Sequence, residues 1–274
     1  MPELPDLEVV KEFLNLHVQG KEVVRAEVLR PTVLRPLAAA DFAADVVGRR
    51  FGMVARRGKQ LLLPLEPERL LVINFMLTGR LQYCMPGTRV LARTFFLLAT
   101  KEAEVRYLDQ QQMGIVYYVR PDQLGQVPRL EEVGPDALES NPTFEQFAQW
   151  LRPFRGEIKG VLTRGAFLSG IGNGYSDEIL FAAGISPFRR CKELAQEELH
   201  RLHQAVPQVL SEAIEVLRQR VPPNIHVEVR DFLKVHRKGG QPCPRCGHAI
   251  SEITANQRVT SFCRRCQPGS LIRN

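Results

Sequence analysis

Four of the six cysteines stand in two C-x2-C pairs near the end of the 274-residue chain. Cys243 and Cys246 form the first pair, and Cys263 and Cys266 form the second after sixteen intervening residues. Each pair presents two thiolates from one tight turn, and two facing turns complete a tetrahedral S4 shell. The spacing predicts one structural Zn2+ ion with no open position for catalysis. A pair of disulfides is the alternative, which reducing cytosol disfavours.

The N-terminus, Met-Pro-Glu-Leu-Pro, carries a second chemical signal. Removal of Met1 would leave Pro2 as a secondary amine with a pKa in the α-amino range, so an unprotonated fraction exists at neutral pH. Such an amine attacks an electrophilic carbon to give an iminium, as lysine does in Schiff-base enzymes. Glu3 lies one residue away and can transfer protons. From these residues alone, an unstructured lead-in to the first helix is the competing interpretation, and it stays open.

The charge distribution points to a polyanionic partner. The net charge is +7, and the last 54 residues hold nine basic residues against three acidic ones. A concentrated basic module is typical of nucleic-acid binding, and a solubilising tail is the alternative. The composition, 44% hydrophobic and 24% charged, excludes a disordered chain. Because no apolar run approaches the ~18 residues of a membrane span and the N-terminus has no apolar h-region, we expect a cytoplasmic protein without a membrane partner.

The first part of the chain reads as one helix followed by β structure. Apolar residues at 3–4 spacing predict a helix over 7–18. Up to about Tyr118, short β-rich runs separated by Gly, Pro and charged clusters predict a sandwich or barrel. Residues 121–135 look like a linker between domains. The predicted β runs are Val23–Leu29, Gln60–Leu65, Leu70–Phe75, Thr94–Leu98 and Ile115–Val119.

The second part of the chain is predicted to be helical. Helices are expected over 144–151, 158–168, 175–183 and 192–220. The last carries a continuous apolar stripe in which Pro207 should cause a kink or a break. The cysteine pairs follow this helix and form a third unit.

Five motifs follow one another along the whole chain. They are Pro2-Glu3-Leu4-Pro5 with Glu8, Arg57-Gly58-Lys59 before a strand, Thr78-Gly79-Arg80-Leu81, the run from Gly170 to Glu178, and the four cysteines followed by Gln267, with Arg258 and Thr260 between the pairs. Together they resemble the bacterial formamidopyrimidine-DNA glycosylase / endonuclease VIII family, of the zinc-finger type.

The resemblance implies an α+β multidomain fold. It assigns an N-terminal helix and β-sandwich to residues 1–125, a helix–two-turns–helix domain to 126–225 and a zinc-finger β-hairpin to 226–274. Double-stranded DNA carrying damaged bases or abasic sites would bind in the cleft between them. The resemblance also implies that the protein is a monomer and that it works at the bacterial nucleoid.

The resemblance further implies a bifunctional DNA glycosylase and AP lyase of base excision repair. Pro2 would attack C1′ of an oxidised or ring-opened nucleotide, expel the base and form a Schiff base, after which β,δ-elimination cuts the strand. Glu3 would act as acid and base, and Lys59 would contact the lesion phosphate. Asn173 and Arg258 would bind backbone phosphates.

Departures from the family pattern fall on the parts that read the lesion. Leu77 matches a residue that wedges into the duplex, in a run that usually reads His-Leu-x-Met and here begins with Asn74. Gln111 replaces an arginine that pairs with the orphaned base, and Met113 replaces a phenylalanine wedge. The stretch 215–232 is shorter than the lesion-capping stretch of 8-oxoguanine-specific members. We therefore expect several lesions to be accepted, with weak dependence on the opposite base.

Two other functions remain open from the sequence. One is a non-catalytic paralogue that recognises distorted DNA, for which Pro2 and Glu3 would have no use. The other is a zinc-ribbon RNA-binding protein, which likewise gives no reason for the terminal Pro-Glu pair. Whether Met1 is removed decides whether the amine exists, and the sequence leaves that question open.

Overall fold

The structure is a computed structural model that describes residues 1–128, 130, 133–255 and 258–269. Among these residues, no helix combines the length and the apolar character that crossing a membrane requires.

The chain divides into two compact units. The first comprises Met1–Glu132 together with Ile214–Val229, and the second comprises Val133–Ala213 together with Arg230–Asn274. The segment 214–229 therefore follows the helical part of the second unit in sequence but packs with the first.

The first helix, α1 (Leu4–His17), begins directly after the Pro-Glu pair. Glu3 is its N-cap residue, and the Glu3 N–H donates to Asp6 Oδ2 at 2.8 Å. Pro5 fits in the first turn because backbone N–H groups there have no partner within the helix. The helix thus starts at Leu4 rather than at residue 7, where the apolar spacing begins.

In the described part of the first unit, two sheets form the sandwich that the sequence predicted. The strands are β1 (Arg25–Val28), β2 (Leu34–Pro36), β3 (Arg50–Phe51), β4 (Ala55–Arg57), β5 (Gln60–Glu66), β6 (Arg69–Asn74), β7 (Gly79–Cys84), β8 (Thr94–Ala99), β9 (Glu104–Asp109) and β10 (Ile115–Val119). One sheet has the order β1-β8-β9-β7 and the other β2-β10-β6-β5-β3, with β4 paired to β5. Phe42 of helix α2 (Phe42–Val46) contacts Phe96 of the first sheet and Tyr118 of the second, with ring centroids 5.6 and 4.9 Å away.

The predicted runs miss five of the ten strands, namely β2, β3, β4, β7 and β9. All six residues of β9 are buried, although three of them are charged. Arg106 Nε donates to Glu104 Oε2 at 2.8 Å, and the guanidinium also binds the carbonyls of Thr88 and Arg89. Because this pairing satisfies the charges, a strand that looks amphipathic lies wholly inside the sandwich.

The predicted linker is packed against the sandwich in part. Val127 and Leu130 are buried and cluster with Leu70, Val72 and Val119 of the second sheet. A short 3-10 segment, Pro121–Gln126, leads into this contact.

The second unit contains the predicted helices. They are α3 (Phe144–Leu151), α4 (Ile158–Arg164), α5 (Asn173–Ala183) and α6 (Gln196–Arg220), the last continuing into the first unit. Helix α4 ends four residues before the predicted end because Gly165 adopts a left-handed conformation with φ +79°.

The prediction at Pro207 was a kink or a break. Helix α6 is continuous there, so the break is wrong and the kink stays a prediction. Leu202 and Val206 before the proline, and Leu210 after it, are buried. Burial of this stripe on both sides offsets the ~3 kcal/mol that an interior proline costs a helix.

The C-terminal part forms an antiparallel hairpin of β11 (Ser251–Ala255) and β12 (Arg258–Phe262). The two cysteine pairs flank this hairpin in sequence. The connecting residues 256–257 lie outside the described part of the chain.

Candidate active site and metal centre

The Pro-Glu pair is held inside the fold. Pro2 is buried and Glu3 is only 5% exposed, so the lead-in is structured. Pro2 lines a small cavity of about 20 Å³, together with Asp6 and Arg80. Met1 precedes Pro2 in the described chain, where the Pro2 nitrogen is part of a peptide bond. The secondary amine therefore requires removal of Met1.

Lys59 lies in a tight loop fastened to α1. Arg57 pairs with Gln60 across β4 and β5, which leaves Gly58 and Lys59 as a two-residue loop. Gly58 has φ +57°, a conformation that favours glycine at the first position of such loops. The loop is half-buried at Lys59 and follows directly on the strand that contacts α1.

A buried ion pair makes that connection. Arg56 Nε donates to Glu8 Oε2 at 2.9 Å, and Arg56 Nη1 donates to the Gly58 carbonyl at 3.3 Å. Burial opposes ionisation of Glu8, but hydrogen bonds and charges from Lys11 and Arg56 outweigh it and lower the Glu8 pKa. The structure thereby links the Lys59 loop to the helix that begins at Pro2 and Glu3. Sequence reasoning used Glu8 as a motif residue and missed Arg56.

Leu77, Gln111 and Met113 lie on two loops at one end of a strand pair. Leu77 is in the turn between β6 and β7, and the other two are in the loop between β9 and β10. Because Gly79 pairs with Asp109 across β7 and β9, both loops leave the sheet side by side. All three side chains are exposed, Leu77 by 45% and Met113 by 43%.

The buried carboxylate of Asp109 organises both loops. It accepts hydrogen bonds from Thr78 Oγ1 at 2.5 Å, from the Gln111 N–H at 3.2 Å and from the Gly114 N–H at 2.6 Å. Thr78 Oγ1 in turn accepts from the Gln111 N–H at 2.9 Å. Thr78 belongs to one of the sequence motifs, but nothing in that motif indicates its contact with Asp109.

Two glycines at the bases of these loops lie against one tyrosine. A Cβ on Gly79 would lie 2.5 Å from the Tyr107 hydroxyl, and a Cβ on Gly114 would lie 1.8 Å from it. Tyr107 is fully buried and packs on Phe96 with ring centroids 5.5 Å apart. Any side chain at either glycine would displace this ring and move the loops.

Asn173 is the first residue of α5 and contacts the C-terminal hairpin. Its Nδ2 donates to the Val259 carbonyl at 2.7 Å, while its Oδ1 is buried and accepts no hydrogen bond within the described residues. Val259 follows Arg258, which is exposed at the start of β12. The structure thus brings Asn173 and Arg258 onto adjacent elements.

Asp177 of α5 ties the same hairpin to two other segments. Its carboxylate accepts from Lys159 Nζ at 2.6 Å, His236 Nδ1 at 2.7 Å and the Ser261 N–H at 3.1 Å. Lys159 Nζ also donates to the Val259 carbonyl at 2.8 Å. No spacing in the sequence indicates this cluster, because its members are far apart along the chain.

The next residue, Glu178, holds the segment that leads to the first cysteine pair. Its carboxylate accepts the backbone N–H groups of Lys234, Val235 and His236 at 2.8, 2.9 and 2.8 Å. The motif residues Asp177 and Glu178 therefore position the metal-binding region.

The four cysteine sulfurs lie together, all within 4.8 Å of one another. Cys243 and Cys266 have their Sγ atoms 3.9 Å apart, and Cys246 and Cys263 have theirs 3.5 Å apart. A tetrahedral zinc with Zn–S bonds of about 2.3 Å requires sulfur separations of roughly 3.8 Å, so the donor set fits one Zn2+ ion.

The surroundings of the sulfurs favour a structural ion. Burial and the neighbouring thiols raise the pKa of Cys266 to about 12, so the protein alone does not ionise this group and a bound cation would have to. Gln267 braces the second pair, since its Oε1 accepts the Cys263 N–H and its Nε2 donates to the Ile185 carbonyl, both at 2.9 Å.

Comparison with known families covers most of the chain. Residues 1–116 match the formamidopyrimidine-DNA glycosylase N-terminal domain, residues 133–222 match the H2TH domain of the same protein, and residues 240–269 match a zinc finger found in FPG and IleRS.

Individual relatives align with this chain over most or all of their length. A protein of Symbiobacterium thermophilum named formamidopyrimidine-DNA glycosylase is 37% identical, with 98% of this chain and 90% of that protein covered. A protein of the same name from Desulfitobacterium hafniense is 33% identical, with 97% and 100% covered. The fold matches the Lactococcus lactis FPG protein solved with FAPY-dG-containing DNA, at TM-score 0.87 and 24% identity over 97% of this chain and 100% of that one.

Proposed function

The chain belongs to the formamidopyrimidine-DNA glycosylase family, and on this premise we propose that it is a DNA glycosylase with AP lyase activity in base excision repair. The observation that carries the proposal is the placement of Pro2. It is buried at the start of α1, next to Glu3, on a helix fastened through Glu8 and Arg56 to the Lys59 loop. The substrate would be double-stranded DNA with oxidised or ring-opened bases or abasic sites.

The reaction follows from the chemistry of a terminal secondary amine. Once Met1 is removed, the Pro2 nitrogen attacks C1′, the bond from C1′ to the base breaks, and the base leaves with the electron pair and takes up a proton. Cleavage of the C1′–O4′ bond then yields the iminium, and O4′ takes a proton that Glu3 carries. The iminium acidifies the C2′–H, so β-elimination expels the 3′ phosphate and δ-elimination expels the 5′ phosphate.

The remaining site residues would hold the DNA. Lys59 would contact the lesion phosphate, and Arg258 would contact a phosphate from the hairpin. Asn173 would act on the backbone at the start of α5, where helix N–H groups also favour anions. Its Nδ2 contact with Val259 indicates that it also positions the strand carrying Arg258.

The wedge residues would act on the bases. Leu77 and Met113 are exposed apolar side chains on adjacent loops, suited to fill the gap that an everted nucleotide leaves. Gln111, on the same loop as Met113, would face the orphaned base with neutral donors and an acceptor. Several lesions would then be processed, with weak preference for the opposite base.

The bound zinc would stabilise the hairpin and supply no step of the reaction. Cys243, Cys246, Cys263 and Cys266 would occupy all four positions, which leaves none for water or substrate. We also propose that the chain has three domains, with boundaries 1–125, 126–225 and 226–274. The protein would act as a monomer, in the bacterial cytoplasm at the nucleoid.

Borohydride trapping tests the proposal. The chain, shown by intact mass to begin at Pro2, should become covalently linked to DNA containing an abasic site, because the iminium is reducible. Pro2→Gly should lose most of the trapping while retaining zinc and DNA binding, which serve as controls. A wild-type chain beginning at Pro2 that binds this DNA but gives no adduct would establish the non-catalytic paralogue instead.

A further inference from the structure

The segment Val221–Val229 follows α6 and packs with the first unit. We call it the strap. Val221 and Ile225 are buried, and local hydrogen bonds shape it, from the Ile225 N–H to the Pro223 carbonyl at 3.0 Å and from the Val227 N–H to the Asn224 carbonyl at 2.8 Å. It therefore has a defined conformation without regular secondary structure.

The strap forms one wall of the cavity beside Pro2. Ile225, Val227 and Glu228 line this cavity opposite residues of α1 and the start of β7. Its volume of about 20 Å³ holds roughly one water molecule. This space is too small for a nucleobase, so a base bound there would require the strap to move, whereas an abasic sugar brings no base with it.

One ion pair fastens the strap to β7. Arg80 Nη2 lies 2.7 Å from Glu228 Oε2, and Arg80 Nη1 donates to the Gly79 carbonyl at 2.7 Å. The Arg80 side chain is 17% exposed and the Glu228 side chain 41%. Gly79 follows Thr78, whose hydroxyl donates to Asp109. The ion pair therefore lies at the base of the two loops that carry Leu77, Gln111 and Met113, which we call the wedge loops.

We propose that Glu228 is a specificity-determining residue: its ion pair with Arg80 holds the strap against Pro2 and selects against nucleotides that still carry a large base. The pair acts on base-bearing substrates and leaves abasic sites unaffected, because only the former require the strap to move. This inference rests on the function proposed above. Since the pair is partly exposed, its removal should change selectivity by about two- to fivefold.

The test compares two activities of one variant under single-turnover conditions. Glu228→Gln should raise the rate of formamidopurine excision, relative to the rate of strand cleavage at an abasic site, by about two- to fivefold. The charge-reversed double variant Arg80→Glu with Glu228→Arg should return this ratio towards the wild-type value.

Glu12→Gln is the matched control. It breaks another ion pair, between α1 and α6, in which Arg218 Nη2 and Glu12 Oε1 are 2.6 Å apart. The Glu12 side chain is 35% exposed, close to the 41% of Glu228, whereas Arg218 is more exposed than Arg80. Glu12 does not line the cavity, so the ratio should stay at the wild-type value.

A ratio that is unchanged or lower in Glu228→Gln would overturn the inference. So would a parallel loss of both rates with a lower melting temperature, which would mark the pair as merely structural. The ratio of dissociation constants for the two DNAs should shift in the same direction, and this readout needs no turnover. A wild-type chain without lyase activity contradicts the proposed function, whereas an active wild type with an unchanged Glu228→Gln ratio contradicts this inference alone.

Discussion

Two buried aspartates organise the two regions that would meet DNA, and they do so differently. Asp109 in the first unit accepts from a hydroxyl and two backbone N–H groups of residues 78–114. Asp177 in the second unit accepts from a lysine, a histidine and one backbone N–H, spread over residues 159–261. Each carboxylate accepts hydrogen bonds from three groups, but of the two only Asp177 has a cationic donor among them, the Lys159 ammonium.

The difference follows from the support each region has. The wedge loops stand on a sandwich whose core fixes their ends, so hydrogen bonds from neutral donors to one carboxylate are enough to shape them. The hairpin has a small core, with Phe181, Val235 and Ile250 packed beside the cysteines. It depends on metal and on buried charge, and should be the more fragile region.

Loss of zinc should have the largest effect, and it should be confined to the hairpin. Cys263→Ser removes one of the four ligands, and structural zinc sites contribute about 10–16 kcal/mol of folding energy. Bound zinc should disappear, and affinity for abasic-site DNA should fall on the order of 100-fold, since Arg258 loses its support. Metal analysis and DNA titration measure both, with Cys84→Ser as the control. Undiminished zinc in Cys263→Ser would contradict the ligand assignment.

Neutralising the two aspartates should compare the regions directly. Asp177→Asn removes the carboxylate charge that pairs with the buried Lys159 ammonium and should cost about 3–5 kcal/mol. Asp109→Asn weakens hydrogen bonds that come from neutral donors and should cost about 1–3 kcal/mol.

Trp150, the single tryptophan, lies in α3 and reports unfolding of the second unit. Its fluorescence transition in urea should shift strongly in Asp177→Asn and little in Asp109→Asn. Equal shifts would mean that the counter-charge does not distinguish the two sites.

Changing the wedge loop should alter recognition without altering stability. Gln111→Arg introduces a bidentate guanidinium and should increase discrimination between opposite bases by about 1–3 kcal/mol. The measurement is single-turnover excision of one lesion opposite each of the four bases, with Gln112→Arg as the neighbouring control. A wild-type preference as steep as that of Gln111→Arg would show that glutamine already reads the orphaned base.

Lowering the pH should reduce the stability of the first unit through Glu8. This effect should be smaller than those predicted above. Lys11 and Arg56 hold the Glu8 pKa below its ordinary value of 4.5 although burial opposes them, so the native state favours the ionised form. This stabilisation is complete above pH 4.5 and is lost as the pH falls through the lowered native pKa. Glu8→Gln should therefore lower the free energy of unfolding at neutral pH, and this loss should shrink as the pH falls.

The stability curves of wild type and Glu8→Gln should converge at low pH. Urea unfolding followed by circular dichroism between pH 7 and pH 3 measures this, since the β-sandwich dominates the strand signal. A constant gap across this range would show that the Glu8 charge is not the source of the effect.

Much of the fold and the metal centre could be predicted from local patterns. The two C-x2-C pairs predicted the zinc site, and the residue patterns predicted the longer helices and five of the ten strands of the sandwich. These features depend on residues near one another in sequence, where periodicity and turn chemistry act. The prediction was weakest where side chains pair across the sandwich, as in β9, whose charges hid its burial.

The functional contacts divide in the same way. Pro2, Glu3, Lys59 and the cysteines are recognisable from residue type and motif. Only the tertiary structure showed that Asp109 joins two loops, that Asp177 gathers Lys159 and His236, and that the strap returns to the cavity beside Pro2. Such contacts join residues tens to hundreds of positions apart, and burial decides which of many polar side chains must find a partner. Spacing along the chain carries no record of that choice, because it is made only when distant elements pack.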